Sequence, residues 1–318
     1  MAASTIPAAR PHPKVTGNDR DFVHLYRILN PFRYVRTASK AEFMDKLEWV
    51  LRLSVALCFI GHGFWGTVSK PGWVGLITPM GFSESTAYAL LPWIGWADIV
   101  LGILVIYKPR SVLLWKAFLW ACFTPLLRPL AGMSWFEVPE RAGNFGIPLA
   151  YIVLAGGMGL MRTWWNGFEV IDEAESKLTD DVIRKVKLVL QLSVGTLLVG
   201  HGGLMAIAQT PIYLEHVRAI GLPVGQSFVN AVGWGEMILG VVIAVRPMTP
   251  LVWLVFFWKL LTESLYPFAG RAIDVFETIE RWGDYGGCIA LLLILYYMER
   301  RSGGTGRAAA PAGARSVP

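Results

Sequence analysis

Leu53-Ser54-Val55 leads into Gly61-His62-Gly63, and far along the chain Leu192-Ser193-Val194 leads into Gly200-His201-Gly202. A polar motif met twice in apolar surroundings makes the chain an internal repeat, and repeats are read before any local feature. Working outward, Gly95-Trp96-Ala97-Asp98 with Leu101-Gly102 returns as Gly233-Trp234-Gly235-Glu236 with Leu239-Gly240. Lys108-Pro109 returns as Arg246-Pro247. Glu140-Arg141 before Gly143-Asn144-Phe145-Gly146 returns as Glu280-Arg281 before Gly283-Asp284-Tyr285-Gly286. Every matched pair keeps nearly the same offset, so the copies differ by almost no insertion.

Hydrophobic residues make up 54% of the 318 and charged residues 16%, with 14 Trp and a mean hydropathy of +0.47. A soluble domain carries about a quarter charged residues, so the composition is that of a membrane protein. Apolar stretches lie near residues 47–68, 87–107, 111–129, 145–162, 184–206, 227–245, 248–268 and 283–299, each long enough for a hydrocarbon core about 30 Å thick. None alternates strictly between apolar and polar, so they read as helices and not as barrel strands. The predicted fold is an all-α integral membrane protein of eight transmembrane helices, arranged as two parallel four-helix repeats.

Orientation follows from Lys and Arg. With both termini cytoplasmic, inside segments hold 20 of the 29 basic residues and outside loops hold 6, as the positive-inside rule requires. The formal net charge of +6 is thus a topology signal, and no nucleic-acid partner is expected. Four spans per copy is an even number, so the copies face the same way.

The expected domains are a basic N-terminal arm over 1–44, repeat 1 over 45–162, a cytoplasmic linker over 163–183, repeat 2 over 184–299 and a disordered tail over 300–318. The first forty residues lack the apolar core of a signal peptide. In the arm, Arg27, Arg33 and Arg36 alternate with Phe22, Tyr26, Phe32 and Tyr34, as in a segment resting on anionic lipid. Ser39 and Thr179 are placed to cap the first and fifth spans. Trp164-Trp165 marks an interface, followed by an acidic run of Glu169, Asp172, Glu173 and Glu175.

An ionisable side chain inside a bilayer is costly unless it faces protein or water, so each such residue is a functional candidate. Asp98 and Glu236 each precede a basic-Pro turn by ten residues, which at about 1.5 Å of helix rise per residue is near mid-membrane. Either carboxylate can relay a proton or bind a hydroxyl or cation, or simply bond a neighbouring helix. His62 and His201 are flanked by glycines in the outer third of their spans. No further His, Cys or Met repeats at ligand spacing, so no metal or haem site is expected, and the histidines read as facing the cavity of the acids or as packing residues. Lys259 and Glu263 stand at i, i+4, an intramembrane pair, where the first copy has Ala121 and Pro125. Arg52 and Lys116 in turn answer to Gln191 and Leu254. Such divergence means one working cavity beside a structural half, or one asymmetric shared site. Glu140-Arg141 and Glu280-Arg281 either line a mouth or are solvated loop charges. Cys58, Cys122 and Cys288 lie in different spans without a C-x-x-C pair and read as apolar filler.

Each half resembles the DoxX/DoxD-like family of small four-helix membrane proteins. The resemblance rests on the opening from Leu51 to Gly63, on the acid-to-glycine spacing of Asp98 to Gly102 and Glu236 to Gly240, and on the basic-Pro turn. It covers roughly 45–162 and 184–299. The family's lysine after the His-Gly pair is here Gly66 and Ala206, and its arginine is Gln191 in the second copy. Some members belong to membrane oxidoreductase complexes, so the resemblance implies an inner-membrane subunit of a quinone-linked oxidoreductase system. In that reading Asp98, Glu236, His62 and His201 bind a quinone or move its protons, and a redox partner subunit supplies electrons. Arg52, Lys259, Glu263, Glu140, Arg141, Glu280 and Arg281 are the candidate substrate-binding residues. The chain has no haem, flavin or iron–sulfur motif and needs such a partner for redox chemistry. Two other readings stand beside it: a small-solute carrier with a pseudo-twofold cavity, and a non-catalytic scaffold or assembly factor among membrane lipids.

Overall fold

A computed structural model describes residues 39–157, 168, 171 and 179–307. The N-terminal arm up to residue 38, the Trp164-Trp165 pair, the acidic run after it and the tail beyond Arg307 lie outside the described residues. Among the described residues twelve α-helices carry the chain: α1 (Lys40–Thr67), α2 (Pro71–Ile77), α3 (Glu84–Tyr107), α4 (Ser111–Leu130), α5 (Glu137–Glu140), α6 (Ala142–Ala155), α7 (Asp180–Ala206), α8 (Pro211–Ala219), α9 (Gln226–Val245), α10 (Thr249–Ala269), α11 (Val275–Glu280) and α12 (Trp282–Arg307). No described residue lies in a strand.

Local chemistry sets the helix ends. Ser39 Oγ accepts from the Glu42 N–H at 3.2 Å, and Thr179 Oγ1 accepts from the Val182 N–H at 3.2 Å, so both expected caps start helices. α3 and α9 stop immediately before Lys108-Pro109 and Arg246-Pro247, because the residue preceding a proline is pushed out of the helical region.

α1, α3, α4, α7, α9 and α10 are long and apolar enough to cross a membrane. α6 has only 14 residues, roughly 21 Å of helix against a hydrocarbon core of about 30 Å. It stops at Gly156 and Gly157, whose φ values are 128° and 63°, inside the expected span 145–162. α12 covers the expected eighth segment and runs on to Arg307, past residue 300, where the sequence predicts the start of a disordered tail. An ion pair from Arg301 to Asp180 at the start of α7 ties this end down.

The helices pack by backbone contact. A Cβ on Gly63 would lie 2.6 Å from the Gly95 carbonyl oxygen, and one on Gly233 would lie 2.6 Å from that of Gly202. Glycine at these points lets α1 meet α3, and α7 meet α9, at a separation no larger residue permits. α1 also packs against α11 and α12, while α7 packs against α5 and α6. The opening helix of each half is therefore covered by the closing elements of the other. α1, α6, α7 and α12 meet centrally, and the described residues form one packed unit. The flanking helices α3, α4, α9 and α10 turn outward large apolar side chains such as Trp93, Ile103, Leu119, Ile238 and Phe257. A continuous apolar exterior of this kind is a surface for lipid.

Candidate functional site: an apolar pocket with a polar end

α2 lies against α3 through Val74, Ile77, Ala87 and Leu91. Behind it is a cavity of about 250 Å³ whose wall is mostly apolar, formed by Leu76, Ile77, Leu91, Ile94, Phe123 and Leu127. Its polar groups are His62, Asp98, Thr124, Arg128, Arg141 and the Trp120 indole. A small void of about 20 Å³ extends it between His62, Asp98, Cys58 and Asn144. Met80, Phe82 and Phe123 at its border are 46%, 42% and 39% exposed, so its opening is apolar too.

Asp98 is 4% exposed and turned into the protein, not toward lipid. Lys116 Nζ donates to its Oδ1 at 2.8 Å and Trp120 Nε1 to its Oδ2 at 3.2 Å. His62 sits against Trp73 with ring centroids 5.5 Å apart. Its Nδ1 has no hydrogen-bond partner although buried, and 3.7 Å away is Glu280 Oε2 of the other half, also buried and unbonded.

The matching positions of the second half are filled by charge. His201 Nδ1 is 2.6 Å from Glu236 Oε2, and Trp258 Nε1 donates to the other oxygen of Glu236. Lys259 Nζ donates to Glu263, and Glu263 Oε2 lies 2.8 Å from Arg281 Nε. His201 Nε2 is 3.8 Å from Glu263 and Lys259 Nζ is 4.0 Å from Asp284. All of these ionisable side chains are buried. A buried charge is tolerated only when paired and hydrogen-bonded; here Lys259 and Arg281 stand against Glu263, Lys259 also against Asp284, and Glu236 is held by His201 and the Trp258 indole. The i, i+4 pair expected at Lys259 and Glu263 thus forms, as part of a larger cluster. Where the cluster stands, the first half has Ala121 and Pro125, which leave room.

The Glu-Arg repeats are not solvated loop charges. A Cβ on Gly61 would lie 2.6 Å from Glu280 Cα, and one on Gly200 would lie 2.5 Å from Glu140 Cα. Each glutamate is thereby set against the opening helix of the other half, and both are buried. Arg141 pairs with Glu140 and lies 2.9 Å from Glu137; Arg281 lies 3.2 Å from both Glu277 and Glu280 and 3.9 Å from Glu140. The two glutamates differ electrostatically. Burial alone would raise Glu140, but Arg141 and Arg281 outweigh it and hold its carboxyl at about 2. Burial and the adjacent Glu277 push Glu280 up to about 7. A cavity of about 620 Å³ between the halves, here called the polar cavity, is rich in charge: both Glu-Arg pairs border it together with Lys70, Glu277, Tyr213 and His216, beside apolar residues such as Leu204 and Ile212.

Arg52 belongs to none of these cavities. It donates to the Val105 and Tyr107 carbonyls at 2.9 and 3.0 Å and lies 3.4 Å from Glu48, closing the end of α3. There it supplies donors to helix-terminal carbonyls, which lack intrahelical ones. Gln191 makes the equivalent bond to the Ala244 carbonyl at 2.6 Å. Cys58 and Cys288 are buried free thiols, and Cys122 is free and half-buried. The indoles that bond the two acids, Trp120 and Trp258, are site residues that motif reading missed. Their separation matches that of Asp98 from Glu236, and that signal was available.

No family model, no curated protein and no solved structure matches the chain.

Proposed function

We propose that this chain is a multi-pass subunit of a quinone-linked oxidoreductase system and that the pocket of the first half takes the head group of a quinone or quinol. The observation that carries this reading is the amphipathic pocket itself, apolar in wall and border, with His62 and Asp98 at its polar end. At about 250 Å³ it lies just below the usual range of ligand sites, about 300 to 1,000 Å³. That suits one substituted ring, with the isoprenoid tail leaving over Met80, Phe82 and Phe123 into lipid.

A bound quinol would supply two electrons and two protons per turnover as it is oxidised to the quinone. Asp98, bonded by Lys116 and Trp120, is the proton acceptor at the pocket, and His62 is the second. The wall of apolar side chains excludes water, so protons enter or leave through these two groups. Electrons pass to a redox centre on a partner subunit. The second half, closed by its ion cluster, supports the first.

The same reading places eight segments in the inner membrane as two parallel repeats, with both termini cytoplasmic. Supporting this are the basic asymmetry of twenty to six and the recurrence of the same helix contacts at the repeat offset. In this arrangement α6 and α12 sit in the centre, where a short helix is shielded from lipid by protein. A carrier reading is favoured by the 620 Å³ polar cavity between the halves; solute counterflow in vesicles made with the purified chain would support it. The quinone reading is tested by saturable binding of a short-chain benzoquinone to the purified chain, with absence of binding counting against it.

A further inference from the structure

Two cavities, one almost wholly apolar and one bordered by many charged groups, share one wall. Trp73, Arg128 and Arg141 border both the apolar pocket and the polar cavity between the halves. His62 borders only the first and Glu280 only the second. Across that wall His62 Nδ1 and Glu280 Oε2 face each other at 3.7 Å. Neither atom has any hydrogen bond, although both are buried. A buried polar atom without a partner costs about 1–3 kcal/mol, so two of them side by side need an explanation that packing does not give. Gly61, one residue before His62, is what admits the Glu280 backbone to α1.

We propose that His62 and Glu280 form a proton relay through this wall, delivering protons collected in the apolar pocket to the polar cavity between the halves. The inference rests on the quinone reading for the source of the protons, but not for the relay itself. The step is a proton transfer alone. His62 takes a proton in the pocket, and its Nδ1–H passes to the Glu280 carboxylate when the two close from 3.7 Å to hydrogen-bond distance, about 2.7–3.2 Å. The Glu280 carboxyl then gives its proton to water in the polar cavity, and His62 is neutral again. Electrons leave by the partner subunit and do not enter this path.

The surroundings suit the role. Glu280 is faced by Glu277 and Arg281 on its own segment, by Lys70 from the α1–α2 turn, by Arg128 on α4, by Arg141 from the α5–α6 turn and by Cys58 and His62 on α1. Burial and Glu277 push it up to about 7, a value at which a carboxyl both accepts and releases protons near neutral pH. Glu140, its counterpart, is held at about 2 by Arg141 and Arg281 and cannot exchange protons there. His201 is engaged with Glu236 and Glu263 instead. The path therefore exists on one side only.

The test uses the full chain in lipid nanodiscs, with infrared difference spectra recorded across pH and short-chain benzoquinone as the probe. In the native chain a carboxyl signal should titrate near pH 7. Glu280→Gln should lose it, and Glu280→Asp, which keeps the carboxyl, should retain it. His62→Gln should displace its midpoint, because the imidazole is its partner, whereas a merely structural glutamate would titrate unchanged. Added benzoquinone should shift the signal in the native chain and not in His62→Gln. A signal that survives Glu280→Gln, or one indifferent to His62→Gln, overturns the relay. Coupling between the two residues without any benzoquinone binding upholds the relay and overturns the quinone reading.

Discussion

Replacing Lys259 by Met removes one charge from the second-half cluster while nearly keeping side-chain length and volume. Lys259 is fully buried, donates to Glu263 and lies 4.0 Å from Asp284. Removing one member of a buried pair costs about 3–5 kcal/mol, because the surviving charge is left without compensation. Here the loss should fall near the lower end, about 3 kcal/mol by that scale, since Glu263 keeps Arg281 at 2.8 Å and His201 at 3.8 Å. Asp284 is the residue left exposed to the loss, as Lys259 is its ion partner. Adding Asp284→Asn to Lys259→Met should recover part of the stability. Reversible denaturation in bicelles measures all three variants, with Lys185→Met, at an exposed pair with Asp181, as a control expected to leave the midpoint unchanged. Lys259→Met within about 0.5 kcal/mol of the native chain, the range of ordinary surface changes, would refute the view that the cluster closes this half by mutual compensation. So would a double variant no better than the single one.

Gly61→Ala and Gly200→Ala each drive a methyl into the backbone of the opposite half and should destabilise by about 1–3 kcal/mol as overpacking does, while Gly75→Ala, in open space, should be silent in the same denaturation assay. Stability should depend on pH through the two glutamates with opposite signs. Glu280, raised from 4.5 to about 7, contributes stability that is full below 4.5 and lost as pH rises through 7, and Glu280→Gln should flatten that decline. Glu140, lowered to about 2, contributes stability present above 4.5 and lost as pH falls toward 2, which Glu140→Gln should abolish. Asp98→Asn keeps an acceptor oxygen for Lys116 while giving up the weaker bond from Trp120, and should leave the chain folded while stopping proton acceptance, whereas Glu236→Leu should lower stability by on the order of 1–3 kcal/mol by stranding His201 and Trp258. Cysteines placed at Ser83 and Ser227 should react with an impermeant maleimide from outside, and one at Ser302 only from inside; labelling of Ser302 from outside would overturn the topology.

The long helices are legible in the chain because their signals are local. Apolar length, a hydroxyl at the start and a basic-Pro turn at the end are read residue by residue, and Ser39, Thr179, Lys108-Pro109 and Arg246-Pro247 act where expected. The repeat offset also picks out the acids that turn inward. Less visible are the short helices α2, α5, α8 and α11, each under ten residues, which have no periodicity to detect. They carry Glu140 and Glu280 from loop positions to buried ones and lay Trp73 and Tyr213 against His62 and His201. The reach of each half across the other depends on Gly61 meeting the Glu280 backbone and Gly200 meeting that of Glu140; contacts between segments so distant in the chain leave no trace in a local pattern. Divergence at Ala121 and Pro125 against Lys259 and Glu263 shows that the halves differ, and packing decides which of them is hollow.

Binding of a short-chain benzoquinone to the purified chain in nanodiscs, followed by quenching of tryptophan emission, tests the proposed pocket most directly. One saturable site per chain is predicted, lost in Leu91→Trp, which fills the cavity from α3, and unaffected by Lys259→Met in protein that remains folded. Absence of saturable binding, two equal sites per chain, or binding undiminished by Leu91→Trp would contradict the account.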